Sequence, residues 1–148
     1  MQDTDFLILL ADDDEDDRQF LMDAFAELPQ TVSIKTFDNG VALMDALLKR
    51  DKKRPDMIFL DLFMPLMDGE ECLNDIKDET RLSHIPVVIY AMVLDLEKAA
   101  MLRDKGAARY LQKSESFDAL KNALTQCLSY INEDRHKKNN SAEFIIKY

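Results

Sequence analysis

Apolar and polar positions along the chain follow two patterns that alternate from one end to the other. Short apolar runs rich in β-branched and aromatic residues are separated by longer segments in which apolar residues recur with the period of an α-helix. Strands and helices that alternate in this way form a parallel sheet with helices on both faces. The pattern therefore predicts an α/β fold of strand–helix pairs, with strands at 6–11, 32–37, 57–62, 87–91 and 109–112.

The polarity of the predicted strands indicates their order in the sheet. The second and fifth runs are more polar than the other three, which is typical of edge strands. Right-handed crossovers and the order 2-1-3-4-5 place those two runs at the edges of a doubly wound sheet. Ligands of such sheets bind beyond the carboxyl ends of the strands, so functional residues are expected there, within one domain over residues 1–131.

Apolar stripes on the helices predict which faces cover the sheet. The third helix, which follows Gly69, has only a short stripe of Cys72, Leu73 and Ile76. The first helix has a longer stripe, formed by Phe20, Leu21, Ala24, Phe25 and Leu28. The last helix has the longest, formed by Phe117, Leu120, Leu124, Cys127, Leu128 and Ile131.

Charge and composition narrow the possible partners and location. The formal net charge is −10, and no basic run is long enough to attract a phosphate backbone, so nucleic-acid binding is disfavoured. No apolar stretch approaches the roughly 20 residues needed to cross a bilayer, and acids stand where a secretory signal would be positive. We expect a cytoplasmic protein without membrane contacts. Cys72 and Cys127 have neither metal-ligand nor redox spacing and should be buried, reduced thiols.

Three carboxylates, here called the acidic cluster, are expected to meet at neighbouring strand ends. Asp12 and Asp13 stand at the end of the first predicted strand, and Asp61 stands near the end of the third, which lies beside it in the predicted order. Unit charges ~4 Å apart repel by about 4 kcal/mol at an effective dielectric of 20, so the cluster needs a cation. Oxygen ligands without His or Cys suit Mg²⁺. Calcium is less favoured, because the chain has no EF-hand loop.

The acids from Asp14 to Asp17 have a simpler interpretation as the start of the first helix. Asp14 is placed to cap this helix, with Asp17 reaching back to the cap, and all of these acids are favoured by the helix dipole. The interpretation does not extend to Asp12 and Asp13, which are expected to face the crevice rather than the capped turn.

A carboxylate in such a cluster can act as a nucleophile toward phosphorus. It then forms an aspartyl phosphate, provided that a metal and a second cation neutralise the charge on the transferred group. Lys113 closes the fifth predicted strand at the same edge of the sheet and would supply that second cation. A lysine at a strand end is usually just solvated, and it is the coincidence with the acidic cluster that favours a role for this one.

Four short motifs stand in order at the predicted strand ends. They are Asp12-Asp13 after an apolar strand, the segment Leu60-Asp61-Leu62-Phe63-Met64-Pro65-Leu66-Met67-Asp68-Gly69, the segment Ile85-Pro86-Val87-Val88, and Gly106-Ala107 leading to Tyr110 and Lys113. Together they resemble the receiver domain of bacterial two-component response regulators, over residues 5 to about 131. The resemblance implies a flavodoxin-like (βα)5 fold in a stand-alone receiver. Residues 132–148 are too few for an output domain and are predicted to be a C-terminal tail.

The resemblance implies a role for each residue of the site. Asp61 would be the phosphoacceptor, and Asp13 and Asp61 would ligate Mg²⁺ directly. Asp12 would ligate it through water, and the Phe63 carbonyl would add a backbone oxygen. Lys113 would pair with the phosphoryl group. This group would come from a histidine kinase or a histidine phosphotransfer protein, and the signal would pass to a downstream protein, so we expect a phosphoacceptor rather than a turnover enzyme.

Two positions depart from the pattern of the family. Ala91 ends the fourth strand where the family has Ser or Thr, whose hydroxyl bonds the phosphoryl group. Ser114 follows Lys113 where the family has Pro, often after a cis peptide bond. A cis bond before a non-proline residue costs about 2.5–4 kcal/mol, so this bond is expected to be trans. The nucleophile and the metal ligands are intact, and the switch is the part that these changes weaken.

Tyr110 has two interpretations beside the small Ala91. In one, Tyr110 turns into the space below the fourth loop in either phosphorylation state and holds the surface in an active-like form. In the other, it is a half-buried aromatic residue on an edge strand with no part in switching. The sequence leaves both open.

The segment 90–96 and the end of the chain are candidate contact regions. Segment 90–96 is unusually apolar for a loop at the crevice, and exposed apolar residues often mark partner surfaces. We expect the face formed by the fourth helix, fifth strand and fifth helix to bind another protein or a second copy of the chain. Near the C-terminus, Phe144, Ile145 and Ile146 belong to a frayed tail, add an edge strand or dock on a neighbouring molecule.

Two other function classes compete with the phosphoacceptor. A phosphorylation-independent binding module, or pseudo-receiver, is favoured by Ala91 and Ser114 and opposed by the intact acidic cluster and Lys113. A magnesium-dependent phosphohydrolase similar to the haloacid dehalogenase family would carry a second aspartate two residues after the nucleophile, where this chain has Phe63.

Overall fold

The structure is a computed structural model that describes residues 5–49, 53–132 and 144–146. Every predicted strand is present, and helices alternate with strands as the apolar pattern predicted. The strands are β1 (Asp5–Ala11), β2 (Thr31–Phe37), β3 (Met57–Leu60), β4 (Val87–Ala91), β5 (Arg109–Gln112) and β6 (Ile145–Ile146). The helices are α1 (Glu15–Ala26), α2 (Gly40–Leu48), α3 (Gly69–Asp78), α4 (Leu96–Asp104) and α5 (Phe117–Asn132).

The described strands form one parallel sheet in the order β2-β1-β3-β4-β5-β6. The predicted order 2-1-3-4-5 and the doubly wound α/β class are confirmed. The prediction that the fifth strand lies at an edge is wrong, because β6 pairs with it, with Tyr110 opposite Ile145 and Leu111 opposite Ile146. Phe144 is buried beside this added strand. The apolar segment 144–146 thus covers the side of β5 that the polarity of this strand had predicted to be an edge of the sheet.

The C-terminal residues divide between two outcomes. At 144–146 the added-strand alternative holds and the frayed-tail alternative is wrong. The rest of the predicted tail beyond residue 132 lies outside the described residues, and the domain boundary at residue 131 stays a prediction.

Two apolar layers cover the two faces of the sheet. α1 and α5 pack on one face, and the residues of α2, α3 and α4 form the core of the other. Within the first layer, Phe59 contacts Phe25 and Tyr90 edge to face, with ring centroids 5.6 and 6.4 Å apart. The predicted stripes of α1 and α5 are buried or partly buried, and the short stripe of α3 is fully buried. Both cysteines are buried and free.

β3 ends two residues before the predicted strand. The Asp61 N–H still donates to the Ala11 carbonyl at 2.9 Å, but the Leu62 carbonyl accepts from the Gly69 N–H at 2.9 Å, so the chain has left the sheet and closed a loop. A Cβ at Gly69 would lie 2.3 Å from the Asp61 carbonyl oxygen. Glycine is therefore needed where α3 begins, because any side chain would displace the backbone of Asp61.

None of the helices in the described ranges combines the length and the apolar character of a membrane span.

Candidate functional site

The acidic cluster assembles beyond the carboxyl ends of β1 and β3. Asp12 and Asp13 follow β1 directly, and Asp61 follows β3. The Asp12 N–H donates to the Phe37 carbonyl at 3.0 Å, and the Asp61 N–H donates to the Ala11 carbonyl at 2.9 Å, so the backbone fixes both positions. One carboxylate oxygen of each aspartate lies within 4.8 Å of the others. The structure thus brings together the three side chains that the sequence predicted as metal ligands.

Burial and hydrogen bonding show that this cluster fits a hard cation. Asp12 and Asp61 are buried, whereas Asp13 is exposed. Asp12 Oδ1 accepts a hydrogen bond from the Asp14 N–H at 3.0 Å. Asp12 Oδ2 lies 2.8 Å from Lys113 Nζ in an ion pair whose angles do not make a hydrogen bond, and no described residue donates one to this oxygen. The three carboxylates together form the kind of oxygen donor set that Mg²⁺ prefers, and one of them has a buried oxygen that accepts no hydrogen bond.

Lys113 lies inside the site. Its backbone N–H donates to the Ala91 carbonyl at 2.7 Å, which ties the tips of β4 and β5 together. Its Nζ lies 2.8 Å from Asp12 Oδ2, 2.7 Å from Asp17 Oδ2 and 3.7 Å from Asp61 Oδ2. Burial alone lowers the pKa of Lys113, but these carboxylates raise it above its usual value, so the side chain stays cationic. A cation thus stands where the sequence predicted one.

The environment of Asp61 opposes its negative charge. Its pKa is raised from 3.8 to about 7, first by burial and then by the negative charge of Asp12, while the charge of Lys113 acts in the opposite direction. A cation held by the cluster would favour the ionised form of Asp61. The ionised form is the one that can attack phosphorus.

Asp17 belongs to the site, although the sequence predicted it to be part of a helix cap. Asp14 does cap α1, and its side chain accepts from the Asp17 N–H at 3.1 Å. The Asp17 side chain, however, accepts from Lys113 Nζ at 2.7 Å, so the prediction that it reaches back to the cap is wrong. A hydrogen bond from an ammonium is stronger than one from a backbone N–H. The sequence offered no separate signal, because an acid in the first turn of a helix is explained equally well by the helix dipole.

Tyr110 and Ala91 lie beneath the loop that follows β4. Both are buried, and the Tyr110 hydroxyl donates to the Val93 carbonyl at 2.5 Å. Tyr110 is therefore turned inward, as the first interpretation of the sequence required. The alternative of a half-buried residue on an edge strand is wrong, because β6 covers β5. The part of Tyr110 in switching stays a prediction.

The two remaining positions singled out in the sequence lie on either side of the site. The Phe63 side chain is 74% exposed in the loop between β3 and α3, and the role of its carbonyl as a ligand stays a prediction. The Lys113–Ser114 bond is trans, as predicted, since the described chain contains no cis peptide bond. Ser114 Oγ accepts from the Ser116 N–H at 3.0 Å, and Ser116 Oγ accepts from the Ala119 N–H at 3.1 Å. Two serines thus shape the turn into α5.

Large apolar side chains are exposed in the two loops at the same edge of the sheet. Phe63 and Leu66 lie in the loop after β3, and Met92, Val93 and Leu96 lie in the segment after β4. The predicted exposed apolar segment 90–96 is confirmed at Met92, Val93 and Leu96, whereas Tyr90 and Ala91 belong to β4 and are buried. Leu66 has a φ of 71°, a left-handed conformation that costs an L-residue roughly 1–2 kcal/mol. Exposed apolar side chains beside a site of this kind are typical of a partner surface.

Comparisons with known proteins agree with this architecture, a parallel sheet whose carboxyl edge carries an acidic cluster and a lysine. The family described as "Response regulator receiver domain" matches residues 8–125. The chain belongs to this family and has its flavodoxin-like fold. It is a receiver domain of the kind used in two-component signalling.

Individual relatives agree with this assignment. The chain is 32% identical over 128 residues to the probable methanogenesis regulatory protein FilR2 of Methanothrix harundinacea (strain 6Ac), covering 84% of this chain and 83% of that protein. It is 32% identical over 133 residues to the DNA-binding transcriptional regulator NtrC of Escherichia coli (strain K12), covering 90% of this chain but 27% of that protein. The phosphorylated cyanobacterial phytochrome response regulator RcpA has a TM-score of 0.78 at 25% identity, covering 88% of this chain and 96% of RcpA.

Proposed function

We propose that the chain is a phosphoacceptor module that takes a phosphoryl group onto Asp61. The observation that carries this proposal is the convergence of Asp12, Asp13 and Asp61 within 4.8 Å, with the Lys113 ammonium 3.7 Å from Asp61. The donor would be a phosphohistidine of a histidine kinase or of a histidine phosphotransfer protein. The module would signal through contacts with a downstream protein, and it would not turn over a substrate as an enzyme does.

The proposed reaction uses the geometry of this chain directly. An Asp61 carboxylate oxygen attacks phosphorus, an O–P bond forms, and the N–P bond of the donor breaks so that its electron pair returns to the imidazole. Lys113 stays protonated and offsets the negative charge that develops on the transferred group. The Met92 N–H, at the exposed start of the loop after β4, would donate to a phosphoryl oxygen.

We further propose Mg²⁺ as the ion that the site takes. Asp12, Asp13 and Asp61 would hold it, with the Phe63 carbonyl as an additional oxygen. A bound Mg²⁺ would neutralise charge on the carboxylates and on the phosphoryl oxygens. The convergence of three carboxylates supports this proposal, because the single Lys113 ammonium, 2.8 Å from Asp12 Oδ2, offsets only one negative charge.

Partners other than the phosphodonor follow from charge and surface. The net charge of −10 opposes direct binding to nucleic acid. We propose that the chain binds neither nucleic acid nor membranes. Its cytoplasmic location stays a prediction. A homodimer through α4, β5 and α5 would have to include β6, because β6 covers β5 and the Arg103 guanidinium of α4 lies over the Phe144 ring at 5.9 Å. A hetero-partner would more readily use the exposed Met92, Val93 and Leu96.

The second candidate is a pseudo-receiver that binds a partner without phosphorylation. Ala91 favours it, because this buried residue has no hydroxyl to bond a phosphoryl group at the tip of β4. Such a module would have no use for the cluster of Asp12, Asp13 and Asp61. The two candidates therefore differ in one measurable property, the Mg²⁺-dependent binding of a phosphoryl analogue.

That property can be followed by NMR of backbone amides, since the chain has no tryptophan for fluorescence. We expect beryllofluoride to shift the amides of Met92 and Lys113 in the presence of Mg²⁺ and not in its absence. Asp61→Asn should abolish the shifts, whereas Asp45→Asn, an exposed position on α2, should retain them. Absence of any Mg²⁺-dependent shift in the wild-type protein would favour the pseudo-receiver.

A further inference from the structure

Lys113 is shared between the acidic cluster and a helix that takes no part in the proposed reaction. Its Nζ donates to Asp17 Oδ2 of α1 at 2.7 Å, but lies 3.7 Å from Asp61 Oδ2. Its other close contact is with Asp12 Oδ2 at 2.8 Å. The ammonium that should meet the phosphoryl group is thus held closer to a helix carboxylate than to the phosphoacceptor.

The first turn of α1 is fixed to the site, so the position of Asp17 is not an accident of a free side chain. The Asp17 N–H donates to Asp14 Oδ1 at 3.1 Å, and the Arg18 guanidinium donates to the Asp12 carbonyl at 2.6 Å. The Asp17 side chain is 28% exposed, whereas that of Lys113 is 9% exposed. Asp17 therefore reaches from a solvent-accessible surface of α1 to a nearly buried ammonium.

We propose that Asp17 is a positioning residue that holds Lys113 back and weakens the retention of the phosphoryl group on Asp61. A phosphoryl group on Asp61 needs the ammonium as a hydrogen-bond donor, and it would compete for it with Asp17 Oδ2, which lies 2.7 Å from Lys113 Nζ whereas Asp61 Oδ2 lies 3.7 Å away. The charge of Asp17 also repels the phosphoryl oxygens directly. The inference rests on the proposed phosphoacceptor function.

This arrangement gives the start of α1 a regulatory role. A partner protein that presents Lys or Arg to Asp17 would compete with Lys113 for this carboxylate. Lys113 would then be free to bond the phosphoryl group, and the phosphorylated state would be retained longer while the partner is bound. The partner chemistry that fits this site is a cationic side chain facing the first turn of α1.

The test is the affinity of the full chain for beryllofluoride in saturating Mg²⁺, measured by NMR titration for the wild type and two matched variants. Asp17→Asn removes the carboxylate that binds Lys113. Asp16→Asn removes the same charge from the neighbouring residue, which is exposed. We expect Asp17→Asn to bind beryllofluoride roughly threefold to tenfold more tightly than Asp16→Asn, a range set by a partly exposed charged hydrogen bond. Asp17→Glu, which keeps the carboxylate, should bind as the wild type does.

The outcomes separate the inference from the proposed function. If the wild type binds no beryllofluoride, the proposed function fails. If the wild type binds it but Asp17→Asn binds no more tightly than Asp16→Asn, the function stands and the role of Asp17 is overturned. As a readout independent of the substitutions, ¹⁵N NMR of the Lys113 ammonium should show its bond to Asp17 weakening when beryllofluoride is added to the wild type; an unchanged signal would also overturn the role.

Discussion

Asp61 is a charged residue in a place where burial opposes its charge. Its pKa is raised to about 7, mainly by burial, with a further contribution from Asp12. In the unfolded chain an aspartate titrates near 3.8. The folded protein therefore holds this proton more tightly than the unfolded chain does, and it loses stability as the pH rises between these two values.

We accordingly expect Asp61→Asn to stabilise the protein at pH 8 in the absence of divalent metal, by roughly 1–3 kcal/mol, because the variant buries no charge there. The difference in the free energy of unfolding should shrink toward pH 4, where Asp61 is protonated in the folded protein and partly protonated in the unfolded chain. Urea unfolding followed by circular dichroism at the two pH values measures it. Asp45→Asn, at an exposed position, should change little; equal stabilities of Asp61→Asn and wild type at pH 8 would contradict the account.

Ala91 is the residue at which this chain lacks a donor for the phosphoryl group. Ala91→Thr should tighten beryllofluoride binding about threefold to tenfold, because a hydroxyl at the tip of β4 adds one charge-assisted hydrogen bond. Ala91→Val is the matched control, since it has the same shape without the hydroxyl. The titration that compares these two variants would refute a role for the hydroxyl if both bind alike.

The strand β6 changes the surface that the sequence predicted. It closes the edge of β5 through the hydrogen bond from the Tyr110 N–H to the Phe144 carbonyl at 2.8 Å, and Phe144 and Ile146 are buried. Tyr110 is thus held by β6 through its backbone and by the loop after β4 through its hydroxyl. Tyr110 therefore links β6 to the loop that follows β4.

Phe144→Ala should detach β6 without unfolding the rest of the sheet, because the strand is short and lies at the end of the sheet. We expect hydrogen exchange at the Tyr110 amide to become faster by at least about tenfold, which corresponds to 1.4 kcal/mol of lost protection. The Asp61 amide, which donates to Ala11 within the sheet, serves as the internal control and should keep its protection. Unchanged exchange at Tyr110 would mean that β6 does not protect this edge.

At the scale of the whole molecule, much of the fold and site was predictable because both follow from patterns local in sequence. Apolar runs alternating with helical stripes predicted the strands, and right-handed crossovers with strand polarity predicted the order that brings Asp12, Asp13 and Asp61 to one place. Asp17 was missed because an acid in a first turn is equally well explained by capping. Its partner Lys113 is 96 residues away along the chain, so only the folded geometry distinguishes the two roles.

β6 was uncertain for a different physical reason. Its two residues and the adjacent Phe144 follow a long polar segment, and so short an apolar run has no periodicity by which a strand could be recognised. Its pairing depends on an edge of β5 that exists only after the rest of the sheet has formed. The prediction that β5 is an edge strand failed for the same reason, since the polarity of a strand does not reveal what covers it.

One divalent cation, held by the acidic cluster, would leave Asp61 as the single carboxylate that accepts a phosphoryl group. The most direct test is intact-mass spectrometry after incubation with phosphoramidate, whose N–P bond resembles that of phosphohistidine, followed by mapping of the modified peptide. We expect one phosphoryl group per chain, located on Asp61, which forms with Mg²⁺ and does not form when the metal is chelated before phosphoramidate is added. A phosphoryl group on another residue, or labelling of Asp61→Asn equal to that of the wild type, would contradict it.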